Sequence, residues 1–174
     1  VASDAEGLLY QRLRGPNQWP ADTLVPNFRR DIEGLFGDLA ELSRAIVEAL
    51  ALCLELPADS FEPLFKGDAH YQASINRYAA GDSGLGGGPH SDSGFLTVVL
   101  QEPVEGTGRL EALPQGCTDW LAVKPKNVGS CAVNLGEMLQ LLTAGQMLAT
   151  VHRVVRPPPV AAGGRNRVSD RKST

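Results

Sequence analysis

Pro89-His90-Ser91-Asp92-Ser93-Gly94-Phe95-Leu96-Thr97-Val98-Val99-Leu100 carries both features on which the fold turns. Its second half is apolar and β-branched, bounded by a Ser/Gly turn, and that composition favours a pleated, packed strand over a helix. Runs of the same kind recur around it, at residues 71–78, 109–113, 120–123, 130–134 and 148–155, with a last one around Arg167. Gly, Pro, Asn and Asp punctuate them at the spacing of an all-β sandwich or barrel. A short helix is predicted at 136–144, with Glu137, Met138, Leu141 and Leu142 on its buried side. Residues 84–88, Gly-Leu-Gly-Gly-Gly, read as a flexible loop. A phosphate cradle is excluded there, because no Lys-Ser/Thr and no helix follow the glycines.

The chain changes character on the N-terminal side. Ile32, Leu35, Phe36, Leu39, Leu42, Ile46, Leu50 and Leu54 recur three or four apart, with Arg29, Arg30, Glu33, Asp38, Glu41, Arg44 and Glu48 between them. That period predicts one amphipathic helix over residues 23–55, entered near Pro26 and stopped by Pro57. The 174 residues suffice for one principal core. A net charge of −4 argues against a nucleic-acid or anionic-membrane surface and for a small-molecule partner. No apolar run reaches the length of a membrane span. Cys53, Cys117 and Cys131 are odd in number and never spaced as C-x-x-C, which fits a reducing, cytoplasmic setting.

His90 and Asp92 stand two residues apart, so an extended backbone turns both to one face, where they can reach one ion. His152 lies inside Ala149-Thr-Val-His-Arg-Val-Val155, a polar imidazole in a run that should line a core. A hydrogen-bonded structural histidine is the ordinary alternative. Two imidazoles and one carboxylate, with three positions left open, make the facial triad of non-haem Fe(II) oxygenases, whereas zinc prefers a closed tetrahedral site. Arg167 and Ser169 repeat the two-residue spacing and suit a carboxylate, the guanidinium as a bidentate fork and the hydroxyl as a further donor. A solvated basic tail is the alternative there, since Arg165, Arg171 and Lys172 crowd around them. Asn76 and Tyr78 supply an amide and a phenol on one face of the strand leading into the metal loop. His70 has no ligand-spaced partner and reads as a loop residue.

Seven stretches in order resemble the isopenicillin N synthase-like branch of the Fe(II)/2-oxoglutarate-dependent dioxygenases. They are Arg14-Gly-Pro-Asn-Gln-Trp-Pro20, Asn76-x-Tyr78, Pro89-His-Ser-Asp92, Trp120-Leu-Ala-Val-Lys-Pro125, Ala132-Val-Asn-Leu-Gly-Glu-Met-Leu139, Val151-His-Arg-Val154 and Arg167-Val-Ser169. The resemblance implies a mainly β fold with flanking α: a double-stranded β-helix, or jelly roll, with the long N-terminal helix packed outside. It implies metal binding by His90, Asp92 and His152, and 2-oxoglutarate binding by Arg167, Ser169, Tyr78 and Asn76. The domain division expected from it is a partial helical segment at 1–66 and the jelly roll at 67–174. Members carry a further N-terminal subdomain, and an apolar strand and closing helix after Arg-x-Ser. Here the sequence begins at Val1 and reads Asp170-Arg-Lys-Ser-Thr174, so it reads as a C-terminally truncated fragment, with charged residues where strand packing is expected.

The activity expected is oxidation of a small organic substrate by O2 and 2-oxoglutarate at Fe(II), by hydroxylation or desaturation, with release of succinate and CO2. A cosubstrate-independent iron oxidase of the same family and a non-catalytic jelly-roll fragment are the alternatives.

Overall fold

The structure, a computed structural model, describes residues 15–66, 71–81, 84–101, 107–160 and 163–173. Its α-carbons group into two compact units, Val1–Gly37 and Asp38–Thr174, divided within the long helix α1 (Phe28–Cys53). In the first unit Trp19 meets Phe28 edge-on at 6.2 Å, and the Arg29 guanidinium lies 5.8 Å from the Trp19 ring.

Helix α1 is shorter at both ends than its apolar period suggested. It starts after Asn27, whose φ of 62° breaks the helical path. It ends in a Schellman turn: Glu55 takes a left-handed φ of 59°, its N–H bonds to Leu52 O, and the Leu56 N–H reaches back to Ala51 O at 3.0 Å. Within the second unit the buried residues of α1 are Leu39, Ser43, Val47 and Ala51, one per turn. The Ser43 hydroxyl is satisfied by donating to Leu39 O. No helix among the described residues is long and apolar enough to cross a membrane.

Among the described residues eight strands follow: β1 (Gln72–Tyr78), β2 (Leu85–His90), β3 (Leu96–Gln101), β4 (Arg109–Leu113), β5 (Leu121–Val123), β6 (Cys131–Leu135), β7 (Val151–Val155) and β8 (Arg167–Ser173). They form two four-stranded antiparallel sheets, ordered β1-β8-β3-β6 and β2-β7-β4-β5. Chain order alternates between the sheets except at the β4–β5 hairpin, so the expected double-stranded β-helix is the architecture found. A short helix, α2 (Glu137–Leu142), follows β6.

Strand β3 has burial on both faces. Thr97, Val99 and Gln101 turn toward the second sheet, the Gln101 amide reaching the β5 carbonyl of Val123. Leu96 and Val98 turn the other way and are fully buried. Phe95 beside them takes Phe61 and Phe65 edge-on, both at 5.2 Å, from the 3-10 turn Glu62–Phe65 and its cap. Each such side chain stabilises the fold by roughly 1.5–3 kcal/mol through its removal from water.

Two expectations need correction, and one alternative is set aside. The glycine run is not a loop but most of β2, which pairs with β7 through two register irregularities. Gly86 serves close packing: a Cβ there would lie 2.5 Å from the Tyr78 ring. The charged C-terminus is not an unpaired tail. Its backbone is laddered to β1 from Arg167 to Ser173 and to β3 from Ser169 to Ser173, so hydrogen bonds on both edges hold it as a strand. The buried side of α2 is Leu139, whereas Glu137, Met138, Leu141 and Leu142 are exposed. With six residues, α2 takes its orientation from backbone bonds at its N-terminus rather than from an apolar stripe.

On the face of the second sheet opposite His152, Glu111 of β4 is buried against two arginines. Arg153, its register partner on β7, bonds to Oε2 at 2.7 Å, and Arg109 bonds to Oε1. Arg153 also lies 4.1 Å over the Trp120 ring. Burial alone would raise the Glu111 pKa, but hydrogen bonds and charge from Arg109 and Arg153 outweigh it and hold the carboxyl below its ordinary value. A depressed folded pKa means the stabilisation is present above the unfolded value and lost as pH falls through the folded one. Thermal unfolding of wild type and Glu111→Gln should therefore differ most at neutral pH, by on the order of 3 kcal/mol. The difference should shrink in acid.

Candidate metal centre

The ends of β2 and β7 bring His90 and His152 directly opposite each other, and the loop leaving β2 carries Asp92 back between them. The nearest ligand atoms of the three residues all lie within 4.8 Å of one another. Asp92 Oδ1 is 3.8 Å from His90 Nε2 and 3.7 Å from His152 Nε2. The two rings are 4.4 Å apart, tilted by 55°. Asp92 and His152 are buried, while His90 is exposed, so the group opens on the His90 side.

Backbone and neighbouring side chains fix the chemistry of each donor. His90 Nδ1 sits 2.8 Å from Gly88 O, and His152 Nδ1 sits 3.0 Å from Thr150 O, in each case the carbonyl two residues earlier. A carbonyl only accepts, so Nδ1 carries the hydrogen and the Nε2 lone pair faces the centre. Asn134 Nδ2 donates to Asp92 Oδ2 at 2.8 Å, which turns Oδ1 toward the imidazoles. The metal loop is anchored on α2: Gly136 N–H bonds to Phe95 O, Glu137 N–H to Asp92 O at 2.7 Å and Met138 N–H to Gly94 O. Ser91, between the two ligand-type residues, donates to the Glu137 carboxylate.

The second group of expected residues lies on the first sheet, on the face turned toward the second. Antiparallel pairing sets Tyr78 opposite Arg167 and Asn76 opposite Ser169, so four side chains from two strands share one patch. Arg167 and Ser169 are buried and the other two half-buried. Asn76 Nδ2 donates to Ser74 Oγ at 3.2 Å. Continuing across the sheet, Gln101 pairs with Ser169, and its Oε1 accepts from Arg167 Nη2 at 2.7 Å. Thr97 pairs with Asn134 and is fully buried, and its hydroxyl has no hydrogen-bond partner among the described residues. His70 lies outside the described residues.

Sequence reasoning therefore named the triad and the four polar residues, and the fold brings each set together. It missed Asn134, Gln101, Thr97 and Glu137. The one available signal was a polar residue inside an otherwise apolar strand, as in Leu-Thr-Val-Val-Leu-Gln101 and Cys-Ala-Val-Asn134-Leu.

The sequence model of the 2OG-Fe(II) oxygenase superfamily matches residues 70–169. The chain belongs to that superfamily. Fe(II) and 2-oxoglutarate are the superfamily's metal and co-substrate. Among curated superfamily members, a 2-oxoglutarate-dependent dioxygenase of Gibberella zeae is 34% identical over 155 residues, covering 84% of this chain and 39% of the relative. The 2-oxoglutarate-Fe(II) type oxidoreductase hxnY of Emericella nidulans is 32% identical over 157 residues, 81% of this chain and 41% of the relative. Among solved structures, a putative 2OG-Fe(II) oxygenase family protein from Caulobacter crescentus aligns with a TM-score of 0.79 at 30% identity, over 97% of this chain and 53% of that one. The structure of JOX2 in complex with 2OG, Fe and JA aligns with a TM-score of 0.77 at 27% identity, over 95% and 47%. The chain thus spans about half the length of the relatives it matches, or less.

Proposed function

We propose that this chain carries the metal and co-substrate site of an Fe(II)- and 2-oxoglutarate-dependent oxygenase that hydroxylates or desaturates a small organic substrate. The observation that carries the reading is the convergence of two Nε2 lone pairs and one carboxylate oxygen within 4.8 Å, each donor oriented by a hydrogen bond to its other atom. That donor set fits Fe(II): neutral imidazoles and one carboxylate leave the ion with residual positive charge and an open face. A buried hydroxyl with no hydrogen-bond partner among the described residues, Thr97 Oγ1, points to a polar ligand on the same side of the sandwich.

In this reading His90 and His152 bind the metal through Nε2, keeping the proton at Nδ1, and Asp92 binds through Oδ1. Arg167 and Ser169 hold the far carboxylate of 2-oxoglutarate, with Tyr78 and Asn76 completing the polar wall. Bound together, the metal and 2-oxoglutarate supply oxidative decarboxylation by O2, giving succinate and CO2 and leaving one oxygen atom's oxidising power for a C–H bond of the substrate. The buried Asp92 and His152 exclude water from the inner side, and the substrate approaches from the exposed His90 side. The free thiols of Cys53, Cys117 and Cys131 fit a cytoplasmic location.

The test is O2 consumption by the Fe(II)-loaded chain with and without 2-oxoglutarate. Uptake that requires 2-oxoglutarate and yields equal succinate is expected. Uptake that ignores it would assign the chain to the cosubstrate-independent oxidases, and no uptake in either case would contradict the reading.

A further inference from the structure

We infer that Gln101 is the positioning residue for Arg167, setting the affinity for the far carboxylate of the co-substrate without touching its keto-acid end. The inference rests on the reading of Arg167 given above.

Gln101 ends β3, is buried, and faces the second sheet. Both ends of its side-chain amide are committed. Oε1 accepts from Arg167 Nη2 at 2.7 Å, and Nε2 is directed at Val123 O of β5 at 3.4 Å. A guanidinium only donates and a carbonyl only accepts, so the amide has one workable orientation. It spans from the guanidinium on one sheet to the backbone of the other. Arg167 is thereby held from the β3 side by Gln101, while on β1 its register partner is Tyr78.

The choice of an amide matters. A neutral acceptor holds a guanidinium N–H without adding a negative charge beside it. A glutamate in its place would keep an acceptor but add a negative charge beside the arginine, repel a dianion and lose the bond to Val123 O. A leucine would fill the space and hold neither end. Glutamine is the side chain of this length that does both jobs.

The experiment is anaerobic calorimetric titration of the Fe(II)-loaded full chain with 2-oxoglutarate and, separately, with 2-oxopentanoate, which has the same keto-acid end and a methyl in place of the far carboxylate. Wild type is compared with Gln101→Leu, Gln101→Glu and Arg167→Leu, and each unfolding midpoint is recorded. Gln101→Leu should weaken 2-oxoglutarate about ten-fold, the size of one hydrogen bond to a charged group. Gln101→Glu should weaken it about a hundred-fold. Both should leave 2-oxopentanoate within about two-fold, since no far carboxylate is involved. Equal losses for the two ligands, no loss for either, or collapse of folding in both Gln101 variants would overturn the inference. If Arg167→Leu binds 2-oxoglutarate like wild type, the underlying assignment of Arg167 fails instead.

Discussion

Replacing Asp92 with alanine should bring 2-oxoglutarate-dependent succinate release to background while leaving the jelly roll folded. Asp92 is the single carboxylate of the triad and is 2% exposed, so no water-borne anion replaces it easily. Two neutral imidazoles alone bind Fe(II) poorly, and loss of a directly bound anion exceeds the ~10–100-fold cost of losing an outer partner. The Asn134 amide would lose its acceptor, costing about 1–3 kcal/mol. That penalty is compatible with folding, because the two strands carrying the histidines remain paired to each other and β7 also to β4. Succinate assayed alongside circular dichroism separates the effects. Wild-type turnover in a folded Asp92→Ala chain would remove Asp92 from the site.

The second large effect is expected from a glycine, which has no side chain to offer a metal or co-substrate. Gly136 has an extended backbone, φ −101° and ψ 170°, so its conformation alone would admit any residue. Space does not: a Cβ there would lie 1.9 Å from Gly94 O, 2.5 Å from Gly94 C and 3.0 Å from Asp92 O. All three are backbone atoms of the metal loop, which cannot swing aside as the tip of a side chain can. Gly136→Ala should therefore push the loop off α2, break the bonds from Gly136 and Glu137 to Phe95 O and Asp92 O, and destabilise the chain by on the order of 3 kcal/mol. Urea unfolding reads the stability, and metal affinity should fall with it. An unchanged midpoint would mean that the loop is not clamped as described.

Some of this was legible in the sequence because its signal is local. His90 and Asp92 share a face by two-residue spacing, as do Arg167 and Ser169, and β-branched runs announced β3, β6 and β7. What stayed hidden depends on distant partners. β2 is built largely from glycines that carry no strand propensity, and the Tyr78 ring packed against Gly86 explains that one. The segment Asp170–Ser173 has no apolar alternation, yet two flanking ladders make it a central strand. Asn134 reaches a carboxylate 42 residues away, and Gln101 a guanidinium 66 residues away, so neither role can be read before the register is known. The exposed apolar residues of α2 show the converse, since its face is set by backbone bonds to the metal loop.

The central claim is that His90, Asp92 and His152 form one metal site. Anaerobic Fe(II) titration of the full chain, followed by metal analysis after desalting, tests it most directly. The account predicts one tightly held ion per wild-type chain, and none after alanine replaces Asp92 or His152. A wild-type chain that retains no iron, or variants that retain it undiminished, would contradict it.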